Sequence, residues 1–367
     1  MIGIAEAFAP CYAPARQKFL QASVGAGLRV DAQALGLRGL EREQLAMDVT
    51  LDGDPDAPHL LIVTSACHGV EGHCGSGVQV FALHDAEWRE KARAAGVAVL
   101  YVHALNPHGF SYGRRVTQEN VDLNRNFVDF SRPRPVNAAY AALDALLLPA
   151  EWPPSPANEA VLAAWVGQHG LPAYQAAVTG GQYQFEDGLF FGGAAPTWSQ
   201  RAFRSVLQRQ ATRARRIGWI DLHTGLGPAG IGERILNSGK DDGAALARAR
   251  AWWSGGGATP VTSIYDGSST SALLTGLLAN ALDEECPQAE VTAIVLEFGT
   301  QPMPQVLAAL RADHWLHRHP AAAPALGDEI RTAMRAAFYT DTDAWKGQII
   351  SQARQAMFQA VEGLSVA

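Results

Sequence analysis

The stretch Leu60-Leu61-Ile62-Val63-Thr64-Ser65-Ala66-Cys67-His68-Gly69-Val70-Glu71-Gly72 decides how the chain is read. Its first four residues are an apolar run that predicts a buried strand. His68 and Glu71 follow, three apart on a glycine-flanked turn. There a ring nitrogen and a carboxylate oxygen can converge on one metal ion, a mixed donor set that suits Zn²⁺. Gly69 and Gly72 are read as relaxing the backbone so that both side chains point the same way. The same spacing also describes a solvated loop His beside a surface Glu, so the weight falls on what accompanies the pair.

Outward from this turn, strands are expected at 44–51 and 59–65, joined by the turn at 52–55, and at 97–104, 217–222 and 291–296, with a further strand at 261–265. Helices are expected at 13–24, 76–83, 87–95, 136–148, 158–177, 196–213, 243–253 and 271–282, and from about 303 to the end. Residues 108–127 read as a polar loop too rich in charge for the core, and 180–193 as an irregular glycine- and aromatic-rich piece. Strands alternating with helices imply an α/β fold with a central, mixed but mostly parallel sheet covered by helices on both faces. No repeat or long linker divides residues 1–367, so a single catalytic domain with a helical C-terminal portion is expected.

Composition narrows the function. The 367 residues are 48% hydrophobic and 18% charged, with a net charge of −7 and no basic cluster, which argues against a nucleic-acid partner. Four scattered cysteines (Cys11, Cys67, Cys74 and Cys286) form no disulfide framework and read as small buried thiols. No apolar segment is long enough to span a membrane, and residues 1–14 lack the basic start and apolar run of a signal peptide. A cytoplasmic protein with no membrane partner is expected.

The placement of polar residues carries the functional reading. His68, Asn106, His223 and Glu297 each fall one to a few residues beyond the C-terminal end of an expected strand, the edge where open α/β sheets bind ligands. His223 completes a His–Glu–His set that leaves one tetrahedral position open for water, whose pKa a catalytic zinc lowers to about 7. Glu297 is placed to act as general base and then as proton donor to a leaving nitrogen. Between them runs Gly113-Arg114-Arg115-Val116-Thr117-Gln118-Glu119-Asn120-Val121-Asp122-Leu123-Asn124-Arg125-Asn126-Phe127. Here Asn124 and Arg125 can clamp a carboxylate, and a second arginine can polarise a carbonyl. Asp122 can accept a proton from the far nitrogen of a metal-bound imidazole.

The series HGVEG, NPHGF, ENVDLNRNF, DLHTG and LEFGT resembles the zinc carboxypeptidase superfamily over residues 58–300. The segment FFGG, followed by Pro196 and Ser199, is similar to a bacterial branch related also to the aspartoacylase and succinylglutamate desuccinylase group. The resemblance implies that one Zn²⁺ is held by His68, Glu71 and His223, that Asn124 and Arg125 hold the substrate carboxylate, and that Glu297 is the catalytic base. Of the neighbours Arg114 and Arg115 only one can face the site, and Arg115 is assigned to the oxyanion. Digestive-type relatives also carry a Tyr before the catalytic Glu. Only Tyr265 offers itself here, too far back to match.

Three functions compete. The first is a carboxypeptidase-like zinc hydrolase acting on a small peptide, and the second an amidohydrolase that cleaves an N-acyl amino acid. The third is a binding protein that keeps the fold without catalysis. The helical reading after residue 305 favours the first, because the deacylase group often adds a β-rich C-terminal domain. The acidic run Asp283-Glu284-Glu285 reads as a solvated turn, not a pocket for a basic side chain.

Overall fold

The computed structural model describes residues 2–255 and 260–366. Its centre is a seven-stranded sheet of β1 (Val30–Arg38), β2 (Gln44–Asp52), β3 (His59–Ser65), β4 (Val97–His103), β5 (Arg216–Ala229), β6 (Gly232–Leu236) and β7 (Glu290–Gly299). The order across the sheet is β1-β2-β4-β3-β5-β7-β6. Strands β4, β3, β5 and β7 run parallel, while β1 and β2 on one side and β6 on the other run antiparallel to their neighbours. The α/β expectation with a mixed, mostly parallel sheet therefore holds.

Both faces of the parallel strands are covered, so their sequences are apolar without alternation. Leu61 and Val63 face one core with Ile220, Leu222, Ile294 and Leu296, under the helices Gly72–His84 and Asp343–Ser365. Leu60 and Ile62 face the opposite core with Trp219 and Ala293, under the helix Trp198–Gln210. A third core lies among Val70, the helices Leu171–Thr179 and Met303–Arg318, and Phe338.

After β3 the chain crosses to β4 on one side, and β5 later joins on the other. The parallel sheet thus reverses direction between β3 and β5. Such a switch point leaves a crevice outside the carboxyl ends of the strands. His68 and His223 stand on its two lips.

Several expectations change. The strands at 44–51 and 59–65 are not neighbours, because β4 inserts between β2 and β3. Strands β1 and β6 were not expected. The first is a half-exposed edge and the second only five residues long. Residues 261–265 contribute a single bridge, Thr262 to Ile235, instead of a strand. β5 runs on past His223, and β7 holds Glu297 within the strand, paired on its outer side by β6. The helix expected at 136–148 is two short turns, Ala138–Ala141 and Asp144–Leu147, and that at 158–177 breaks at Gly170 (φ 86°). Of 271–282 only Asn280–Glu285 is helical, because Gly276 turns at φ 73° against the carbonyl of Arg125.

The loop at 108–127 is the largest revision. Pro107–Tyr112 is a helix capped by Asn106, whose Oδ1 accepts the Gly109 N–H at 2.8 Å. Beyond it Thr117, Asp122, Leu123, Arg125, Asn126 and Phe127 are buried. Its charges enter the interior because they are paired there.

The glycines of the turn between His68 and Gly72 also serve differently from expectation. Neither Gly69 nor Gly72 has positive φ. A Cβ on Gly69 would lie 2.0 Å from the Gly109 carbonyl carbon, and one on Gly72 would lie 2.5 Å from the Phe110 ring. They permit close approach of the turn to the helix Pro107–Tyr112. Gly69→Ala is therefore expected to destabilise the protein by about 1–3 kcal/mol through overpacking and to weaken metal uptake in parallel. Thermal unfolding and metal titration of the same preparation check both effects.

Candidate metal centre and active-site cleft

The site begins at a bend. Ala66, just beyond β3, has φ 55°, a left-handed conformation that costs an L-residue about 1–2 kcal/mol. The bend is pinned because the carbonyls of Ser65 and Ala66 accept the N–H groups of Leu105 and Asn106. The chain then enters a single 3₁₀ turn, Gly69–Glu71, with His68 at its start. Asn106, expected at the site, is instead consumed in building this support.

The turn brings the expected ligands together. His68 Nδ1 lies 2.8 Å from Glu71 Oε1, and His223 Nδ1 lies 3.1 Å from Glu71 Oε2. The far nitrogens face carboxylates. His68 Nε2 is 3.2 Å from Asp122 Oδ1, and His223 Nε2 is 2.7 Å from Asp221 Oδ2. Each imidazole thus presents one nitrogen to the centre while an aspartate orients the other, as metal-binding histidines are held. Asp122 is the aspartate beside His68.

Asp221 was missed, though DLHTG contains its signal. Residues two apart on a strand share a face, so Asp221 lies beside His223 on β5. Behind it a chain of hydrogen bonds leads into the core. Trp219 Nε1 donates to Thr64 Oγ1 at 2.9 Å, and that hydroxyl donates to Asp221 Oδ1 at 2.5 Å.

A second donor triplet, Cys67, Asp221 and His223, shares two of these residues. Cys67 and Asp221 do not line the cleft, whereas His68, Glu71 and His223 do. Burial pushes the Cys67 thiol up to about 12, so the thiolate a metal would need is disfavoured. Cys67, Cys74 and Cys286 are buried and free, as expected, and Cys11 is partly buried.

Arg115, not Arg114, faces the cleft. Its Nε donates to Asp122 at 2.9 Å and its Nη1 to Glu71 at 3.3 Å, and its Nη2 lies 2.7 Å from His68 Nε2. Arg114 turns away to Asp313 and Asn120. Glu297 reaches the same cleft from β7, in register with His223 on β5. Its Oε1 accepts the Leu226 N–H at 2.9 Å.

Asn124 and Arg125 line the cleft and are firmly held. Asn124 Oδ1 accepts the Leu278 N–H, while Arg125 donates twice to the Thr179 carbonyl and once to that of Asn124. Phe190 lies between the guanidiniums of Arg115 and Arg125, 5.2 and 5.6 Å from its ring centre. Tyr265 is not part of the lining, and its hydroxyl donates to the Ser238 carbonyl.

Charge balance tests whether a metal fits. Glu71, Asp122, Asp221 and Glu297 gather here against the guanidiniums of Arg115 and Arg125. Two negative charges are left over, the amount a divalent cation neutralises, and buried charge demands such compensation. Burial would raise Glu71, but His68 and His223 hold it below its ordinary value. Burial would likewise raise Asp122, which Arg115 and Arg125 hold well down. Burial lowers His223, but Asp221 first, then Cys67 and Glu71, lift it well above its usual range. Burial and the nearby Glu71 push Glu297 up to about 7. The donor set, two imidazole nitrogens and a carboxylate in a mouth open to solvent, fits catalytic zinc.

A family model described as a protein of unknown function, DUF2817, matches residues 8–352. The chain belongs to the DUF2817 family. No curated protein matches it. Among solved structures, this DUF2817 chain is similar to bovine thrombin-activatable fibrinolysis inhibitor, solved with tick carboxypeptidase inhibitor. The TM-score is 0.51 at 10% identity, covering 99% of each chain. Carboxypeptidase A from Helicoverpa armigera gives 0.44 at 12% identity, covering 87% of this chain and 71% of that one. A metallo-carboxypeptidase from Burkholderia cenocepacia gives 0.44 at 12%, covering 92% and 68%. The likeness to the first of these shows the carboxypeptidase-like α/β fold implied by the sequence. Among the described residues no helix is long and apolar enough to cross a membrane.

Asp221 gives the test particular to this DUF2817 site. Asp221→Asn keeps the shape but removes the charge that orients His223, and it is expected to weaken zinc binding about 10–100-fold. Competition with a chromophoric chelator measures this affinity directly.

Proposed function

We propose that this chain is a zinc-dependent hydrolase that cleaves an amide bond next to a free carboxylate. The observation that carries the reading is the convergence in one cleft of the His68–Glu71–His223 donor set, Glu297, and the Asn124–Arg125 pair. His68, Glu71 and His223 would hold the ion, with Asp122 and Asp221 orienting the imidazoles. When bound, zinc supplies Lewis-acid polarisation and makes water a better nucleophile.

The protein's own groups account for the remaining steps. Arg125 has two guanidinium hydrogens left after its bonds to Thr179 and Asn124, and with the Asn124 amide it offers a carboxylate a two-point contact. Fixing that carboxylate positions the amide bond at the far end of the cleft. Arg115 faces the point where negative charge develops on the carbonyl oxygen. Glu297 takes a proton from the attacking water and passes it to the departing nitrogen. Burial and the nearby Glu71 raise this carboxyl from its ordinary value, the direction that suits a group that both accepts and returns a proton.

Glu297→Gln separates this role from a structural one. The zinc content and melting temperature are expected to stay near wild type while turnover falls by about 10² to 10⁴. Metal analysis, thermal unfolding and turnover on one preparation check it. Full activity with zinc retained would remove Glu297 from the chemistry. Equal turnover of a free acid and its amide would remove Arg125 from substrate recognition.

A further inference from the structure

Away from the metal centre, the cleft is walled by two hydrophobic cores. It encloses about 1050 Å³ of empty space, open solvent at its mouth included. One wall, with Ile235, Ile264, Leu274 and Leu277, extends the core beneath β6 and β7. It adjoins the carboxylate clamp, because Leu278 N–H is bonded to Asn124. The other wall, with Val306, Leu307, Leu310 and Phe338, extends the core of the helix Met303–Arg318. It adjoins the metal donors: Val70 belongs to the same core, and the Phe338 carbonyl accepts the hydroxyl of Thr224, next to His223.

A substrate held by its carboxylate at Asn124 and Arg125, with its amide carbonyl at the metal, therefore directs its acyl portion onto the second wall. Among the described residues, that wall carries no carboxylate to pair with an ammonium. Among the described residues, the carboxylates lining the cleft are Glu71 and Glu297, and both are committed at the centre. The acidic run Asp283–Glu285 lies outside the cleft, where Glu284 and Glu285 pair with Arg204. An ammonium seated against Leu307 and Leu310 would give up water for apolar surface without a counter-charge, whereas each methylene buried there is favourable.

Resting on the function proposed above, we propose that the substrate is an N-acyl amino acid whose acyl group is apolar, seated against the helix Met303–Arg318. Water adds to the acyl carbon, the C–N bond breaks and the nitrogen receives a proton. The products are a carboxylic acid and a free amino acid with an apolar side chain, which rests on the wall of Ile264 and Leu277.

The test compares N-acetyl-, N-hexanoyl- and N-octanoyl-leucine with the free dipeptide leucyl-leucine, using the zinc-loaded full chain. The expected result is a kcat/KM that rises at least about tenfold from acetyl to octanoyl, with the dipeptide below the octanoyl substrate. Leu307→Asp should lower the octanoyl-to-acetyl ratio by about tenfold, and Leu307→Trp should shift the preferred acyl group to a shorter one. A flat series, or a dipeptide that outpaces octanoyl-leucine, overturns this inference and leaves the hydrolase reading intact. If no free-carboxylate amide is cleaved, the hydrolase reading fails, and calorimetry on Glu297→Gln still judges the pocket. Octanoyl-leucine binding more tightly than acetyl-leucine supports it, and equal or absent binding overturns it.

Discussion

The structure turns on one carboxylate shared between two rings. Glu71 offers Oε1 to His68 Nδ1 at 2.8 Å and Oε2 to His223 Nδ1 at 3.1 Å, deep in the protein. Much else at this end of the sheet compensates for burying it. Asp122 and Asp221 hold the far ring nitrogens, and Arg115 spans Asp122 and Glu71. Such a cluster is costly in an apolar interior unless its charge is closed. His223, lifted by Asp221, and Glu297, raised by burial and by Glu71, both shift toward holding a proton.

Backbone packing sets the geometry before any ion is considered. The left-handed Ala66 turns the chain out of β3, and the helix Pro107–Tyr112 presses on Gly69 and Gly72 so closely that no side chain fits there. On the other lip, His223 and Glu297 are fixed by parallel register within β5 and β7. Strand interiors hold side chains more rigidly than loops, which suits groups that must meet within a few ångströms.

Much of this was legible in the sequence, and the rest was hidden for definite reasons. The apolar runs at 60–63 and 291–296 announced buried parallel strands, and the residues that end or follow them announced the cleft. Asp221 went unread because a charged residue inside an apolar strand draws no attention until its neighbour two positions on is recognised as a ligand. The burial of 114–127 was invisible because local composition reports charge, not the distant partners that neutralise it. Asp313, which pairs with Arg114, is far away in the chain. Strand β1 was hidden by its exposed edge position and β6 by its shortness. The roles of Gly69 and Gly72 were misjudged for a related reason: conformational freedom can be guessed locally, but close approach to another segment cannot.

The apolar walls and the polar centre divide the work of the cleft between them, one favouring shape and the other chemistry. The central question is where a metal ion resides. Zinc K-edge X-ray absorption on the reconstituted protein measures this directly. Binding by His68, Glu71 and His223 predicts one zinc per chain surrounded only by nitrogen and oxygen neighbours at about 2.0–2.2 Å. A sulfur neighbour at about 2.3 Å would place the ion on Cys67 with Asp221 and His223, and would contradict the account.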